Sequence, residues 1–154
     1  MVVRSNFTLL ALMSIMLLIG GCSGTNLYKD VSTHNMEVNS KTDSVDATLD
    51  VYSVSAQCES DYLGTVALDR SSIELGIAIE EPSYLIVGFA SSSFWSSSSG
   101  FTSYDFTLLP RKAFRYEVDV SYIDNIYNVT VYEVSQLTGK QREMEEAELR
   151  NCQT

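Results

Sequence analysis

From Val45 onward, apolar residues recur at every second position along most of the chain. Val45, Ala47, Leu49 and Val51 share one side of an extended segment, with Asp46, Thr48 and Asp50 on the other. Tyr62, Gly64, Val66 and Leu68 alternate with Leu63, Thr65, Ala67 and Asp69. Ile73, Leu75, Ile77 and Ile79 alternate with Glu74, Gly76, Ala78 and Glu80. Side chains of a strand point to opposite faces in turn, so each run predicts a strand with one face buried. Residues 84–90 (YLIVGFA) are apolar throughout, as expected of a central strand covered on both faces. Residues 101–109 bring Tyr104, Phe106 and Leu108 to one side before Pro110 breaks the run. Phe114, Tyr116, Val118, Val120 and Tyr122 then oppose Arg115, Glu117, Asp119 and Ser121. Asp124-Asn125 turns the chain into the β-branched run 126–134, and Thr138-Gly139 supplies a last turn. Residues 143–150 have helix-forming composition over only two turns, and suit a short strand or a helical turn.

Seven or eight short strands, turn signals between them and no long amphipathic helix predict an all-β fold, an antiparallel β-sandwich. The hairpin over 114–134 is its best-defined unit. The aromatic-rich inner faces resemble those of immunoglobulin-like and transthyretin-like sandwiches, as architecture only. The single tryptophan, Trp95, lies in a serine-rich segment rather than in a strand, so the immunoglobulin Cys-Trp-Cys pattern is incomplete.

The N-terminus has a different pattern. One positive charge, Arg4, precedes an apolar run from Phe7 to Ile19, followed by Gly20, Gly21 and Cys22. The run is shorter than the ~20 residues that a spanning helix needs, and the order of parts is that of a signal peptide. Ile19-Gly20-Gly21-Cys22 resembles the lipobox of bacterial lipoproteins. That resemblance implies cleavage before Cys22, lipid on its sulfur and an acylated amino terminus. Two or three acyl chains, at roughly 0.8 kcal/mol per buried methylene, hold a protein stably to a bilayer. Ser23 in place of Asp resembles the outer-membrane sorting signal of Gram-negative lipoproteins, on the periplasmic face or at the cell surface. Residues 22–44 are polar and without periodicity, and read as a lipidated cysteine followed by a flexible tether. The division expected is therefore 1–21 signal peptide, 22–44 tether and 45–154 sandwich.

Charge and cysteines narrow the function. The formal charge of −10 moves to −11 once Arg4 is removed. It repels phosphate backbones, which argues against nucleic acid as a partner. Removing residues 1–21 leaves 133 residues, enough for one domain with a sizeable core. With lipid on Cys22, Cys58 and Cys152 remain in an oxidising compartment, and an even remainder there reads as one disulfide. It closes a loop of about 95 residues, for which chain entropy gives an upper figure of roughly 4 to 5 kcal/mol. A zinc site lacks partners, because His34 is the only histidine; no cofactor or metal is expected.

Catalytic chemistry has little to work with. Triads of the Ser-His-Asp or Cys-His type need a histidine at the site, and His34 falls in the expected tether. Glu80-Glu81, Asp119, Asp124 and the run Glu143, Glu145, Glu146 and Glu148 offer carboxylates for glycoside hydrolysis, but such charges are ordinarily solvated faces. The serine-rich loop 91–100 holds two adjacent large aromatics, Phe94 and Trp95. Aromatics in an adaptable polar loop suit a recognition tip, although capping one end of the sandwich is the commoner arrangement. The expectation is a non-catalytic, membrane-anchored lipoprotein that binds or scaffolds an envelope protein or glycan. Inhibition of an envelope-attacking lysozyme or protease is the alternative, and a small hydrolase ranks below both.

Overall fold

A computed structural model describes residues 26–42, 45–92 and 99–149. These residues form β1 (Met36–Thr42), β2 (Asp46–Val54), β3 (Ser60–Ala67), β4 (Ser72–Leu75), β5 (Ser83–Ser92), β6 (Ser99–Leu108), β7 (Phe114–Ile123), β8 (Ile126–Ser135) and β9 (Gln141–Glu143). A short 3-10 turn, Glu146–Leu149, follows. A five-stranded sheet runs β4-β1-β7-β8-β9, and a four-stranded sheet runs β3-β2-β5-β6. Every pairing is antiparallel except β1 with β7. The expected β-sandwich is therefore observed. The lipobox with Cys22, the pair Phe94 and Trp95, and Cys152 lie outside the described residues.

The period-two faces meet between the sheets. Leu49, Val51, Leu85, Val87, Phe89, Phe106 and Leu108 come from one sheet, and Met36, Val38, Tyr116, Val118, Val120 and Val131 from the other. Burial of each large apolar side chain is worth roughly 1.5 to 3 kcal/mol. The β7–β8 hairpin forms as expected. Its two-residue turn holds Asp124 at φ 53° and Asn125 at φ 63°, the pair of left-handed conformations that matches the twist of the flanking strands.

The main departure is at the N-terminal end. Within the segment expected as tether, residues 26–42 pack on the domain. Tyr28 N–H donates to Thr65 O, Thr65 N–H donates to Asn26 O, and Tyr28 Oη donates to Gly76 O. The stretch passes so close to two glycines that a Cβ at Gly64 would lie 2.5 Å from Tyr28 N, and one at Gly76 only 2.0 Å from Ser32 O. Gly64 also sits at φ +147°, where other residues are strained. Strand β1 then enters the middle of the five-stranded sheet with Met36 and Val38 in the core. Only two apolar residues mark its inner face, followed by Ser40 and Thr42, so its periodicity is faint in the sequence.

Other expectations need smaller corrections. The run 73–79 is a strand only to Leu75. Beyond it the buried Asn35 side chain takes over the ladder: its Nδ2–H donates to Ile77 O and its Oδ1 accepts from Ile77 N–H. Strand β5 is central but buried on one face. Its outer residues Tyr84 and Ile86 are half-buried and Ala90 is exposed. The expected loop 91–100 is narrower, because Ser91 and Ser92 pair with Gly100 and Ser99.

Candidate functional site

The outer face of the four-stranded sheet gathers side chains that the register sets in rows. Tyr52 on β2 pairs with Tyr62 on β3 and with Tyr84 on β5. Their ring centroids are 5.2 and 5.8 Å apart, which makes a continuous aromatic row across three strands. The next row along the strands is Thr65, Asp50, Ile86 and Asp105. Further along, Phe101 is 73% exposed and its ring lies over Gly88, where a Cβ would come within 3.3 Å of it.

Tyr62 belongs to this row because of a bulge. The register slips between Val51 and Tyr52, so Val51 faces Gly64 while Tyr52 faces Tyr62, and Leu63 is left over. Simple alternation would put Tyr62 on the core side with Gly64 and Val66. The extra residue turns it outward instead.

The rows are tied together by hydrogen bonds. Tyr84 Oη donates to Asp105 Oδ2 at 3.1 Å. Tyr62 Oη lies 2.5 Å from Thr65 Oγ1, whose hydroxyl donates to Asp50 Oδ1. Burial pushes the Tyr52 phenol up, with Asp50 adding to it. Burial also raises Tyr84, helped by its bond to Asp105. Both phenols therefore stay protonated; Tyr84 donates to Asp105, and Thr65 donates to Asp50. Asp50 and Asp105 accept these bonds, and neither has an ion-pair partner among the described residues.

The electrostatic contrast between the two sheets is sharp. Strands β2, β3, β5 and β6 contain no lysine or arginine. On the outer face of the other sheet charges are neutralised locally. Arg115 reaches Glu117 at 2.5 Å and Glu37 at 3.7 Å, and Asn39 Nδ2–H donates to Asp119. That face reads as ordinary solvated surface.

The carboxylates considered for catalysis are dispersed. Glu80 pairs with Lys112, Asp119 accepts from Asn39, Asp124 sits in the β7–β8 turn and Glu148 pairs with Arg142. His34 is exposed, with Nε2 3.2 Å from Asp30 and Nδ1 3.4 Å from Glu74, so both ring nitrogens face carboxylates rather than a nucleophile. Among the described residues no three of His, Cys, Asp or Glu are gathered to hold a metal ion. A groove of about 700 Å³ opens near Thr42, Val45 and Leu68, where Lys41 and Arg70 offset Asp46 and Asp69. Cys58 lies in the β2–β3 turn at φ 61°.

No family model matches the chain, and no curated protein matches it. Solved structures similar to the chain include two transthyretins. Transthyretin from Sparus aurata is 15% identical, with a TM-score of 0.47 over 66% of this chain and 98% of that one. Sea bream transthyretin in complex with thyroxine is 15% identical, with a TM-score of 0.44 over 63% of this chain and 93% of that one.

Proposed function

We propose that this protein is a lipid-anchored, non-catalytic binding domain of the bacterial envelope, attached through Cys22 and binding through the outer face of its four-stranded sheet. The observation that carries this reading is the aromatic row Tyr62-Tyr52-Tyr84, backed by Asp50 and Asp105 on the outer sheet face. Tyrosine supplies large contact area with few torsions to freeze and a hydroxyl to hydrogen-bond, which is why it is enriched at binding surfaces. Rigid strands hold the rings in place, so little ordering is needed on association. The lipobox supports the anchor, and Ser23 supports the outer membrane as its destination. We assign the partner of Cys58 as Cys152, the remaining thiol once Cys22 carries lipid. Inhibition of an envelope-attacking enzyme is the second reading, favoured by a sheet without a single cation. Assaying a basic lysozyme with the soluble domain would separate the two.

The test is photo-crosslinking in intact envelopes. A benzophenone side chain in place of Tyr84 or Phe101 should give discrete adducts, whereas one replacing Asn128, on the outer face of the other sheet, should not. Equal adducts from both faces would defeat the reading.

A further inference from the structure

We propose that the tyrosine face docks the arginine and lysine side chains of a basic protein, each cation lying over the aromatic row with Asp50 and Asp105 beside it. This rests on the outer face being the binding surface and goes on to name its partner's chemistry.

Two independent features of the face point to a cation. The first is the ring array. Phenol rings attract a cation within about 6 Å of their centroids, and three adjacent rings offer several such positions. The second is unbalanced charge. Same-face residues along a strand are roughly 7 Å apart, so the carboxylate row runs one guanidinium's breadth from the tyrosines. Asp50 and Asp105 are oriented by Thr65 and Tyr84, and each keeps acceptor capacity beyond the single bond it makes. None of the four strands supplies a cation to compensate them. A second copy of this chain is a poor occupant, since two such faces would bring like charges together. An anionic lipid or nucleic acid is excluded by the same sign. A neutral glycan could stack on the rings but would leave the carboxylates without a counter-charge. A basic protein satisfies both rows, and the chain's net charge of −10 would steer it in.

The experiment measures binding of the soluble domain, residues 23–154, to two probes: an amidated peptide of alternating arginine and glycine, and chitotetraose as a neutral glycan. The double variant D50N/D105N removes two charges and keeps the side-chain shapes. The control D124N/E143Q removes two charges elsewhere. Peptide affinity should fall at least tenfold in D50N/D105N and in Y84A, stay within twofold in the control, and weaken steeply with salt. Equal losses in both double variants would mean general acidity rather than a docking face, and would overturn the proposal. Salt-insensitive binding of chitotetraose that depends on Tyr84, without peptide binding, would also overturn it while leaving the face as the binding surface. If neither probe binds, the inference falls, while the reading beneath it still stands or falls on the crosslinking.

Discussion

Glu133 offers the sharpest test of how this sandwich is held together. Its carboxylate is 3% exposed at one end of the core, an environment that ordinarily excludes charge. It is satisfied by four donors. Arg111 gives Nε–H at 2.9 Å and also Nη2–H, Arg142 gives Nε–H at 3.1 Å, and Tyr116 gives Oη–H at 3.1 Å. Tyr116 Oη in turn accepts from Arg111 N–H at 3.0 Å, so the cluster locks the β6–β7 connection onto β8. Removing one member of a buried ion pair costs about 3 to 5 kcal/mol when the partner is left stranded. Here the guanidiniums are about half exposed and Arg142 keeps Glu148 at 2.8 Å, so both can be rehydrated or remain paired. The cost of E133Q should lie nearer that of a charged hydrogen bond, about 2 kcal/mol. E133A adds a cavity and should cost about 3 to 4 kcal/mol. For a domain of this size, 2 kcal/mol lowers Tm by roughly 8 °C.

The pH dependence gives an independent check. Burial works to raise the Glu133 pKa, but the hydrogen bonds from Arg111 and Arg142 outweigh it and hold the carboxyl below its ordinary range. A carboxyl with a depressed folded pKa stabilises the fold above its unfolded value, near 4.3, and loses that contribution as pH falls through the folded value. The gap between wild type and E133Q in urea denaturation should therefore be full at pH 7 and narrow below about pH 4. An E133Q variant within 0.5 kcal/mol of wild type at pH 7, or a gap unchanged at pH 3, would refute the reasoning.

Three further outcomes are expected. G76A should push Ser32 away and loosen residues 26–35, so the amides of Tyr28 and Val31 should exchange faster with solvent while Val118 stays protected; unchanged exchange would contradict the close approach. C22A should abolish labelling with a clickable fatty acid and leave an unprocessed precursor, and continued labelling would defeat the anchor. Mass analysis of envelope protein should find Cys58 and Cys152 joined and two hydrogens light, and two free thiols would defeat that pairing.

Much of the fold is legible in the sequence because burial of one sheet face imposes a period of two. The runs from Val45 and Phe114 carry that period cleanly and form β2 and β7, and the β-branched run from Ile126 forms β8. Strand β1 was hidden for a physical reason. It lies in the middle of a sheet, yet after Met36 and Val38 its inner face continues as Ser40 and Thr42, so composition alone resembles a linker. Residues 73–79 keep the period beyond the end of the strand for the opposite reason. Ile77 is fully buried, and its backbone is satisfied by the Asn35 side chain rather than by a neighbouring strand. The tyrosine face needed register, which the sequence does not state, and a bulge that reverses the side of Tyr62. One signal for it was present all the same: no lysine or arginine occurs between Arg70 and Arg111.

The ordered N-terminal segment also changes where the face stands relative to the anchor. A tether spanning residues 23–44 would have a root-mean-square reach of roughly 26 Å, leaving the domain free to tumble above the bilayer. Asn26, already hydrogen-bonded to the sheet, is only four peptide steps after Cys22, at most about 14 Å even when fully extended. Asn26 lies on the β3 edge of the tyrosine sheet, where its carbonyl accepts from Thr65 N–H at 2.8 Å. If Cys22 carries lipid as proposed, that edge would be held near the membrane, and a partner would meet the face beside the bilayer. A fluorophore replacing Asp61, on β3, should therefore transfer energy efficiently to a headgroup acceptor, and one replacing Lys140 less so. Inserting twenty glycine and serine residues between Gly24 and Thr25 should reduce transfer from the Asp61 position and bring the two positions closer together. Transfer from that position unaffected by the insertion would show that the lead-in does not hold the sheet edge to the membrane.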